Sequence, residues 1–449
     1  MQFSQQGRLR TVWENLRSSL WFIPTILVVA AVALAILLIE GESYVARDRL
    51  VSQWPRVFGA GAQGARGMLS AIASSMITVA GVAFSITIVT FALASSQYTS
   101  RILRNFMRDR GNQAVLGVFL GVYAYCLVVL RTIRGGDEGV FVPSLAVVAA
   151  VLLALIAIGF LVFFIHHVAY SIQASSIIGS IADETLRAID RLYPDTGRDE
   201  SEAPADPQRT SPPANRSWTT IPARRTGYIQ LIDHASLLAL ARKESGVVLR
   251  VEAGAGAFVV EGTPLVSVAG QPVDRALIRK VNSAYTVGRH RTLQQDVGFG
   301  IRQVVDVALK ALSPGINDTT TAITCIDYLG ALLVRLAPRR IGPPLPPSSE
   351  PTRVIPPQQT FAGFVAEAFD QIRQNGEANP AVLASLLDTL ALVARHSGSA
   401  DRLRALREQA EAVSEAAERG IPSSYDRKGI QAAGERFAES SAATSRSGP

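Results

Sequence analysis

Four long stretches without a charged side chain dominate the first third of this 449-residue chain. They occupy residues 21–39, 69–94, 115–130 and 142–165. An α-helix rises about 1.5 Å per residue, so about 20 apolar residues cross the hydrocarbon core of a bilayer, which is roughly 30 Å thick. The third stretch is the shortest, and it fits a helix that begins earlier or a locally thinned bilayer. The sequence therefore predicts an α-helical integral membrane protein with four transmembrane helices.

The composition excludes several other classes of protein. Charged residues make up 18% of the chain, below the roughly 25% of an average soluble domain. Cys126 and Cys325 lie in an apolar stretch and in a predicted helix, and their spacing fits neither a disulfide framework nor a metal site. The chain is therefore neither fully disordered nor a disulfide-built secreted scaffold, and we expect no bound cofactor.

The positive charge of the chain is mostly arginine. The formal net charge is +7, and much of the arginine flanks the apolar stretches, where it would contact anionic lipid headgroups. No nucleic-acid-binding signature accompanies it, so we expect the lipid bilayer and no nucleic acid as a partner. Arginines before the first stretch and between the second and third favour both termini in the cytoplasm. Everything after Ile165 is then cytoplasmic.

One face of the second stretch is small and mildly polar. On a helical wheel the side chains of this face fall within about 40° of one line, with Ile88 as its bulky member. The small members are Ser70, Ser74, Thr78, Gly81, Ser85, Ala92 and Ser96. Two interpretations stay open: close helix packing, or a pore-lining face repeated around the axis of a homo-oligomer. None of the four stretches contains Asp, Glu, Lys, Arg or His, which argues against a proton-coupled carrier or pump.

Residues 101–110 form a predicted basic amphipathic helix after the second stretch. Arg101, Arg104 and Arg108 share the face opposite to the apolar side chains. Such a helix lies in the headgroup region, so these arginines are candidate lipid-headgroup contacts. His166 and His167 end the fourth stretch and are expected to anchor it at the interface rather than to bind a metal.

The remaining sequence predicts a cytoplasmic α+β region and a helical subdomain. The fourth span continues as a helix to Leu192, completing a transmembrane domain over residues 1–193. The segments that follow are a disordered linker (194–220), an α/β domain (221–338), a proline-rich linker (339–358), a helical subdomain (359–440) and a tail (441–449).

Within the α/β domain, the string GAFVVEGTPLVSV resembles half of a lipoyl- or biotinyl-type barrel-sandwich domain. It predicts a hairpin in which strands 258–260 and 265–268 pair across a turn at Gly262–Pro264. No lysine lies between Lys243 and Lys280, so the turn lacks an acceptor for a prosthetic group. Ser236 is predicted to cap a short helix, and two long helices are predicted over 291–312 and 319–336.

Four polar residues of the two long helices form a candidate cytoplasmic pocket or cap: Asp296, Asp306, Asn317 and Asp318. Asn317 or Asp318 would cap the following helix, or that helix N-terminus would bind an anion. The other two acids would pair with Arg289 or Arg291, either to hold the fold or as one wall of a pocket. Gly298 and Gly300 are too sparse to indicate a phosphate-binding loop.

Five strings carry a resemblance to a known family. They are LWFIPT (20–25), GARGMLSAIASSMITVAGVAFSITIV (64–89), ASSQYTSRILRNFMRDRGNQAVLGVFLG (94–121), FIHHVAYSIQ (164–173) and QDVGFGIRQVVDVALKALSPGINDTTTA (295–322). In this order they resemble the DUF2254 family of bacterial predicted membrane proteins. Thr319 stands where the family usually has proline, after the Asn-Asp pair. The resemblance implies a multi-pass protein of the bacterial inner membrane and brings no catalytic residue or cofactor.

Three functions compete at this stage. The first is an oligomeric, channel-like protein lined by the second span, with a cytoplasmic regulatory domain. The second is a membrane-anchored sensor or scaffold whose cytoplasmic half binds a protein or small ligand. The third is an enzyme, and the chain carries no hydrolase, zinc-protease or nucleotide-binding signature. The sequence thus predicts a protein that is not an enzyme.

Overall fold

The computed structural model describes residues 21–42, 61–97, 109–134, 141–171, 173–193, 217–243, 247–341, 354–355, 357 and 359–447. The chain is mostly helical. It divides into two compact units, Met1–Gln173 (unit 1) and Ala174–Pro449 (unit 2). Each unit is described by itself.

The described part of unit 1 contains the helices α1 Phe22–Glu42, α2 Ala62–Gln97, α3 Arg110–Thr132 and α4 Ser144–Ser171. Each helix covers or overlaps one of the predicted spans. α3 packs against the other three helices and buries Phe119 and Tyr125 completely. The Tyr125 hydroxyl donates to the carbonyl oxygen of Ala146 at 2.8 Å, which joins α3 to α4.

In unit 1, α1 and α3 approach each other closely at two glycines of α3, which the sequence analysis did not single out. A Cβ on Gly117 would lie 2.6 Å from Leu27 Cδ1, and one on Gly121 would lie 3.3 Å from the Leu27 carbonyl oxygen. Glycines four residues apart remove side chains from one stripe of a helix and let two backbones approach. The contact between α1 and α3 therefore depends on these glycines.

Unit 2 contains most of the elements of the chain. Its described helices are α5 Ala174–Leu192, α6 His234–Arg242, α7 Arg275–Ser283, α8 Val297–Ala311, α9 Thr319–Leu336, α10 Phe361–Asn375, α11 Pro380–Arg395, α12 Ala400–Gly420 and α13 Ser424–Ser447. Its described strands are β1 Thr219–Pro222, β2 Gly227–Ile232, β3 Val248–Val251, β4 Phe258–Val259, β5 Pro264–Ala269, β6 Tyr285–Gly288 and β7 Val354–Ile355. The α8–α9 pair packs against α5, α10 and α11.

Five described helices are long and apolar enough to cross a membrane: α1 to α4, and α9. α9 differs from the other four in belonging to unit 2, where it buries Cys325, Ile326, Leu329 and Leu333 completely. By length and composition, five described helices could therefore cross a membrane, one more than the four spans predicted in the sequence analysis.

The strands form two sheets around one apolar cluster, and the predicted hairpin is wrong. The sheet orders are β1-β5-β3-β7 and β4-β2-β6. β4 pairs with β2, whereas β5 pairs with β1 and β3. Residues 265–269 of β5 are all buried. The backbone N–H and C=O groups of so deeply buried a strand need partners on both sides. A strand at the centre of a sheet has a neighbour on each side, whereas a strand of a two-stranded hairpin has only one.

Several predicted boundaries also shift. The helical extension predicted after the fourth span is present as a helix of its own: α4 ends at Ser171, and α5, Ala174–Leu192, belongs to unit 2. Thr360 caps α10, whose helix packs on α8, so the helical subdomain is part of unit 2 rather than separate. The predicted tail is helical to Ser447, since Arg407 Nε donates to the buried Ser441 hydroxyl at 2.9 Å and holds α13 against α12.

Four helix or linker predictions need correction at particular positions. Asp233, not Ser236, caps α6, because its carboxylate accepts from the Ser236 amide at 3.0 Å. Asp296 caps α8, so that helix begins at Val297 rather than near residue 291. Thr219 and Thr220 lie in β1, and β7 lies inside the predicted proline-rich linker, where it pairs in parallel with β3. Residues 194–216 lie outside the described residues.

Candidate functional site

The small-residue face of α2 points away from the helices of unit 1. Its described members Ser70, Ser74, Thr78, Gly81, Ser85 and Ala92 are all exposed; the Ser96 side chain lies outside the described residues. The packed positions are Ala65, Leu69, Ala73, Met76, Ala80, Ala83, Thr87 and Thr90. On the helical wheel they centre roughly 200° from Ser74. Unit 1 therefore uses one side of α2 for its own core and leaves the predicted face uncovered.

Two hydroxyls on this face are satisfied by their own helix. Thr78 Oγ1 donates to the Ser74 carbonyl oxygen at 2.8 Å, and Ser85 Oγ donates to the Gly81 carbonyl oxygen at 2.9 Å. A Cβ on Gly81 would meet no heavy atom within 4 Å. Exposed bulky side chains flank the face on both sides, Ile77 and Phe84 on one side and Val82, Ile86 and Val89 on the other, while the exposed Ile88 lies on the face itself. The result is a shallow small-residue strip between two apolar ridges, which we call the α2 strip.

The predicted basic helix, residues 101–110, is too long at its end, because Arg110 already belongs to α3 and Asp109 precedes that helix and contacts one of the histidines. Asp109 caps α3 by accepting from the Gly111 amide at 2.8 Å. Its other oxygen lies 2.5 Å from His167 Nε2, and His167 stacks on Phe163. His167 thus has a carboxylate partner that joins the start of α3 to the end of α4. Arg101, Arg104 and Arg108 lie outside the described residues.

In unit 2, a cluster of charged side chains surrounds Asp296. Its carboxylate receives two hydrogen bonds from Arg291, at 2.7 and 3.0 Å, and a third from the Phe299 amide at 3.0 Å. Only 4% of the Asp296 side chain is exposed. Burial by itself lowers the pKa of Arg291, but the hydrogen bonds that it donates to Asp296, together with the negative charges of Asp296 and Glu367, outweigh burial and raise that pKa. Arg291 is therefore the arginine that pairs with Asp296, a choice that the sequence alone did not settle. The pair stabilises the start of α8.

Glu367 of α10 joins this cluster, and sequence reasoning missed it. Burial raises its pKa; Asp296 and Asp306 add to the rise, while Arg291 and Arg302 oppose it. Arg302 itself pairs with Asp306 at 2.8 Å. The fold thus gathers two predicted acids around a third that lies about 60 residues further on in a helix with no distinguishing pattern.

Gly298 and Gly300 of α8 lie where neighbouring helices approach closely, a packing role that the sequence did not predict. A Cβ on Gly298 would lie 2.6 Å from Glu367 Oε2. A Cβ on Gly300 would collide with the Thr185 hydroxyl of α5. Each glycine lets a neighbouring helix approach α8, which is a packing role and not a phosphate-binding one.

The other two candidates lie apart from the cluster, at the far end of α8, which is about 22 Å long. Asp318 caps α9: its carboxylate accepts from the Thr321 hydroxyl at 2.6 Å and amide at 3.0 Å, and these bonds lower its pKa. Asn317 adopts a φ of 49° just before it. Asn379 Nδ2 donates to Thr319 Oγ1 at 2.7 Å. Capping is therefore what Asp318 does in this structure.

The chemistry available to these groups is limited. Within the described ranges, no group of three or more His, Cys, Asp or Glu side chains is placed to hold a metal ion. Burial raises the pKa of the Cys325 thiol, which keeps it in its unreactive form. The arginines and carboxylates around Asp296 neutralise one another, an arrangement that holds helices together. The α2 strip is the predicted feature that no group of unit 1 covers in the described residues.

Comparisons with known proteins agree with a membrane protein. The profile of a family described as "Predicted membrane protein (DUF2254)" matches residues 17–392. Uncharacterised proteins of Mycobacterium bovis and Mycobacterium tuberculosis are each 33% identical over 454 aligned residues, which cover 97% of this chain and 83% of the relative. A further Mycobacterium tuberculosis relative, from strain CDC 1551, is 32% identical over the same shares. No solved structure matches the chain significantly.

Proposed function

We propose that this chain, which belongs to the DUF2254 family of predicted membrane proteins, assembles as a homo-oligomeric channel in the bacterial inner membrane. In this proposal the α2 strips of several copies face a common axis. The single observation that carries it is the outward orientation of the strip, opposite to the side of α2 that packs in unit 1.

The chemistry of the strip supports a partner outside the protomer. Lipid tails are as apolar as leucine, so helices associate in a bilayer through close backbone approach and hydroxyl contacts. A strip of Ser, Thr, Gly and Ala between bulky ridges offers both. Closed symmetry brings the same face of each copy to one axis. Hydroxyls and exposed helix carbonyls at that axis give polar groups to a water-filled path.

The topology in this proposal has four spans. α9 is apolar enough to cross a membrane, but it serves as a core helix that contacts α5, α8, α10 and α11. A chain that crosses the bilayer with α1 to α4 alone returns to the side on which it began. The arginine distribution then favours both termini in the cytoplasm, with unit 2 as a cytoplasmic regulatory part.

The alternative is a membrane-anchored sensor or scaffold, and a groove in unit 2 favours it. The groove has a volume of about 660 Å³ and lies between α12 and α13. Glu411, Glu415 and Glu418 form one wall, and Gly434, Ala438 and Ala442 contribute small side chains opposite. An acidic groove of this shape suits a basic helix of a partner protein.

Cysteine accessibility tests the channel. Both native cysteines are buried, so Ser74→Cys, Thr78→Cys and Ser85→Cys each introduce one reactive thiol into the reconstituted protein. If the strip lines a water path, these thiols react with a charged aqueous reagent, and single-channel conductance falls upon reaction. Ile77→Cys and Val82→Cys, on the flanking ridges, are the matched controls and should be protected.

Two results would overturn the channel. Protection of the strip thiols together with formation of disulfide-linked dimers would make the strip a dry contact between copies, as expected of the scaffold. A monomeric protein by light scattering in detergent, without conductance in bilayers, would remove the oligomer itself.

A further inference from the structure

Five basic side chains lie together on the small α/β part of unit 2. Arg224 and Arg225 are exposed in the turn between β1 and β2, and Arg275, Arg279 and Lys280 are exposed on α7. Arg275 and Arg279 are four residues apart and share a face of the helix with Asn282, seven residues on from Arg275. None of the ion pairs among the described residues involves these five cations.

Hydrogen bonds place the turn between α7 and the loop after β4. Asn282 accepts from the Arg224 amide at 3.1 Å and donates to the Pro222 carbonyl oxygen at 3.0 Å. On the other side, the Glu261 amide donates to the Thr226 hydroxyl at 3.2 Å, and the Gly262 amide donates to the Ala223 carbonyl oxygen at 2.9 Å. The α7 helix, the turn and the loop therefore form one adjoining surface.

The loop side of this surface carries exposed apolar side chains. Phe258 is 56% exposed and Val260 is 51% exposed. Phe258 pairs across the sheet with Tyr228, and the two rings meet edge to face with centroids 5.0 Å apart. Phe258 lies in β4 and Val260 directly follows that strand, and both are exposed whereas Val259 between them is buried. Exposed apolar side chains grouped beside a basic patch are typical of a surface that contacts another molecule or a membrane.

We propose that this surface, formed by the β1–β2 turn, α7 and residues 258–260, docks unit 2 on a bilayer that contains anionic phospholipid. Arginine guanidinium groups bind lipid phosphates, while Phe258 and Val260 enter the headgroup region. The two acids nearest in sequence, Asp274, which caps α7, and Glu261, are too few to cancel the five cations, so the surface keeps a net positive charge.

The position of the surface in the chain favours a lipid partner over a nucleic acid. Unit 2 begins at Ala174, only three residues beyond the last residue of α4, one of the helices apolar enough to span the membrane. The bilayer is thus always within reach, at a high effective concentration. Exposed Phe and Val beside arginine fit an interface with an apolar interior, whereas a nucleic-acid backbone needs only the cations.

Full-length protein in lipid nanodiscs tests the proposal. Val260→Cys supplies an accessible thiol for an environment-sensitive fluorophore, since both native cysteines are buried. In discs of phosphatidylcholine with about 30% phosphatidylglycerol, we expect blue-shifted emission and about threefold weaker quenching by iodide than in pure phosphatidylcholine. High salt should reverse both effects, because it screens the attraction between arginine and phosphate.

A charge-matched pair of variants separates this surface from general basicity. Arg275→Glu with Arg279→Glu should abolish the lipid-dependent shift, while Arg395→Glu with Lys428→Glu, exposed on α11's end and on α13, should leave it unchanged. Equal emission in both lipids, or equal loss in both variants, would overturn the proposal. So would a shift that appears upon addition of an RNA or DNA oligonucleotide in phosphatidylcholine discs, which would make the surface a nucleic-acid site.

Discussion

The two units use their sequence-predicted polar residues in opposite ways. In unit 1 the Ser, Thr and Gly residues of the α2 strip face outward, and nothing in the described part of that unit covers them. In unit 2 the predicted acids are already engaged: Asp296 with Arg291, Asp306 with Arg302 and Asp318 with the start of α9. The first set is therefore available to a partner outside the protomer, whereas the second set stabilises its own unit.

The difference follows from the kinds of group involved. In a bilayer, a hydroxyl can be satisfied by the helix carbonyl one turn earlier, so an outward strip costs little and stays available for another helix or for water. A charged group in the interior of a protein unit must find its partner there, because an unpaired buried charge is costly. Outward and inward placement therefore predict different responses to substitution.

The largest effect is expected from Asp296→Ala. The change removes the cap of α8 and leaves the guanidinium of Arg291, 26% exposed, without its carboxylate. Breaking a mostly buried pair typically costs about 3 kcal/mol or more. We expect a clear drop in the thermal midpoint of unit 2 in detergent and faster amide exchange at the first turn of α8.

Asp401→Ala is the matched control for that loss. Asp401 also lies at the start of a helix of unit 2 and faces an arginine, Arg404, at 3.3 Å, but its side chain is 84% exposed. Exposed pairs contribute roughly 0–1 kcal/mol. Similar midpoints for the two variants would show that the cluster around Asp296 does not hold unit 2, and would reopen its interpretation as a ligand pocket.

The helices α1 to α4 could be predicted from the sequence because their signal is local. Uncharged stretches set their positions, and the helical wheel selected the strip on α2. α9 is also long and apolar enough to cross a membrane, but its contacts with helices distant in sequence could not be predicted by the same local rule. The GxxxG contact of Gly117 and Gly121 was readable in the sequence, as two glycines four apart in an apolar helix.

Unit 2 was less predictable because its partners are distant. Pairing of β4 with β2 and of β5 with β1 and β3 depends on burial in the assembled sheets, not on the turn at Gly262–Pro264. The acid-arginine pairs were foreseeable, since Arg291 and Asp296 are five residues apart. Glu367 was not, since nothing in the sequence of α10 marks the one glutamate that faces Gly298.

Two glycine substitutions of equal size test the comparison inside unit 1. Gly117→Leu forces a side chain into Leu27 and Pro24, where a Cβ alone would lie 2.6 Å from Leu27 Cδ1. Overpacking of this kind costs about 1–3 kcal/mol. The variant should therefore melt at a lower temperature as a protomer in detergent.

Gly81→Leu should spare the protomer, because a Cβ there meets nothing within 4 Å. It should instead reduce oligomer size or conductance, which depend on the α2 strip. If Gly81→Leu lowers the melting temperature as much as Gly117→Leu does, the strip is packed inside the protomer and the contrast between the units fails.

The smallest effect concerns the pH dependence of unit 2. Burial raises the pKa of Glu367 above its usual value of about 4.3. Between the two values the folded chain keeps a proton that the unfolded chain has lost, so unfolding releases it, and the free energy of unfolding falls as the pH rises. Glu367→Gln cannot release this proton. The variant should match the wild type at acidic pH and become the more stable of the two as the pH rises through this interval.

Thermal midpoints across that range measure the difference, with the exposed Glu408→Gln as the control that should run parallel to the wild type. A Glu367→Gln curve that also runs parallel to the wild type would show that the Glu367 carboxyl is open to water, and would place this acid with the outward groups of unit 1 rather than with the paired interior of unit 2.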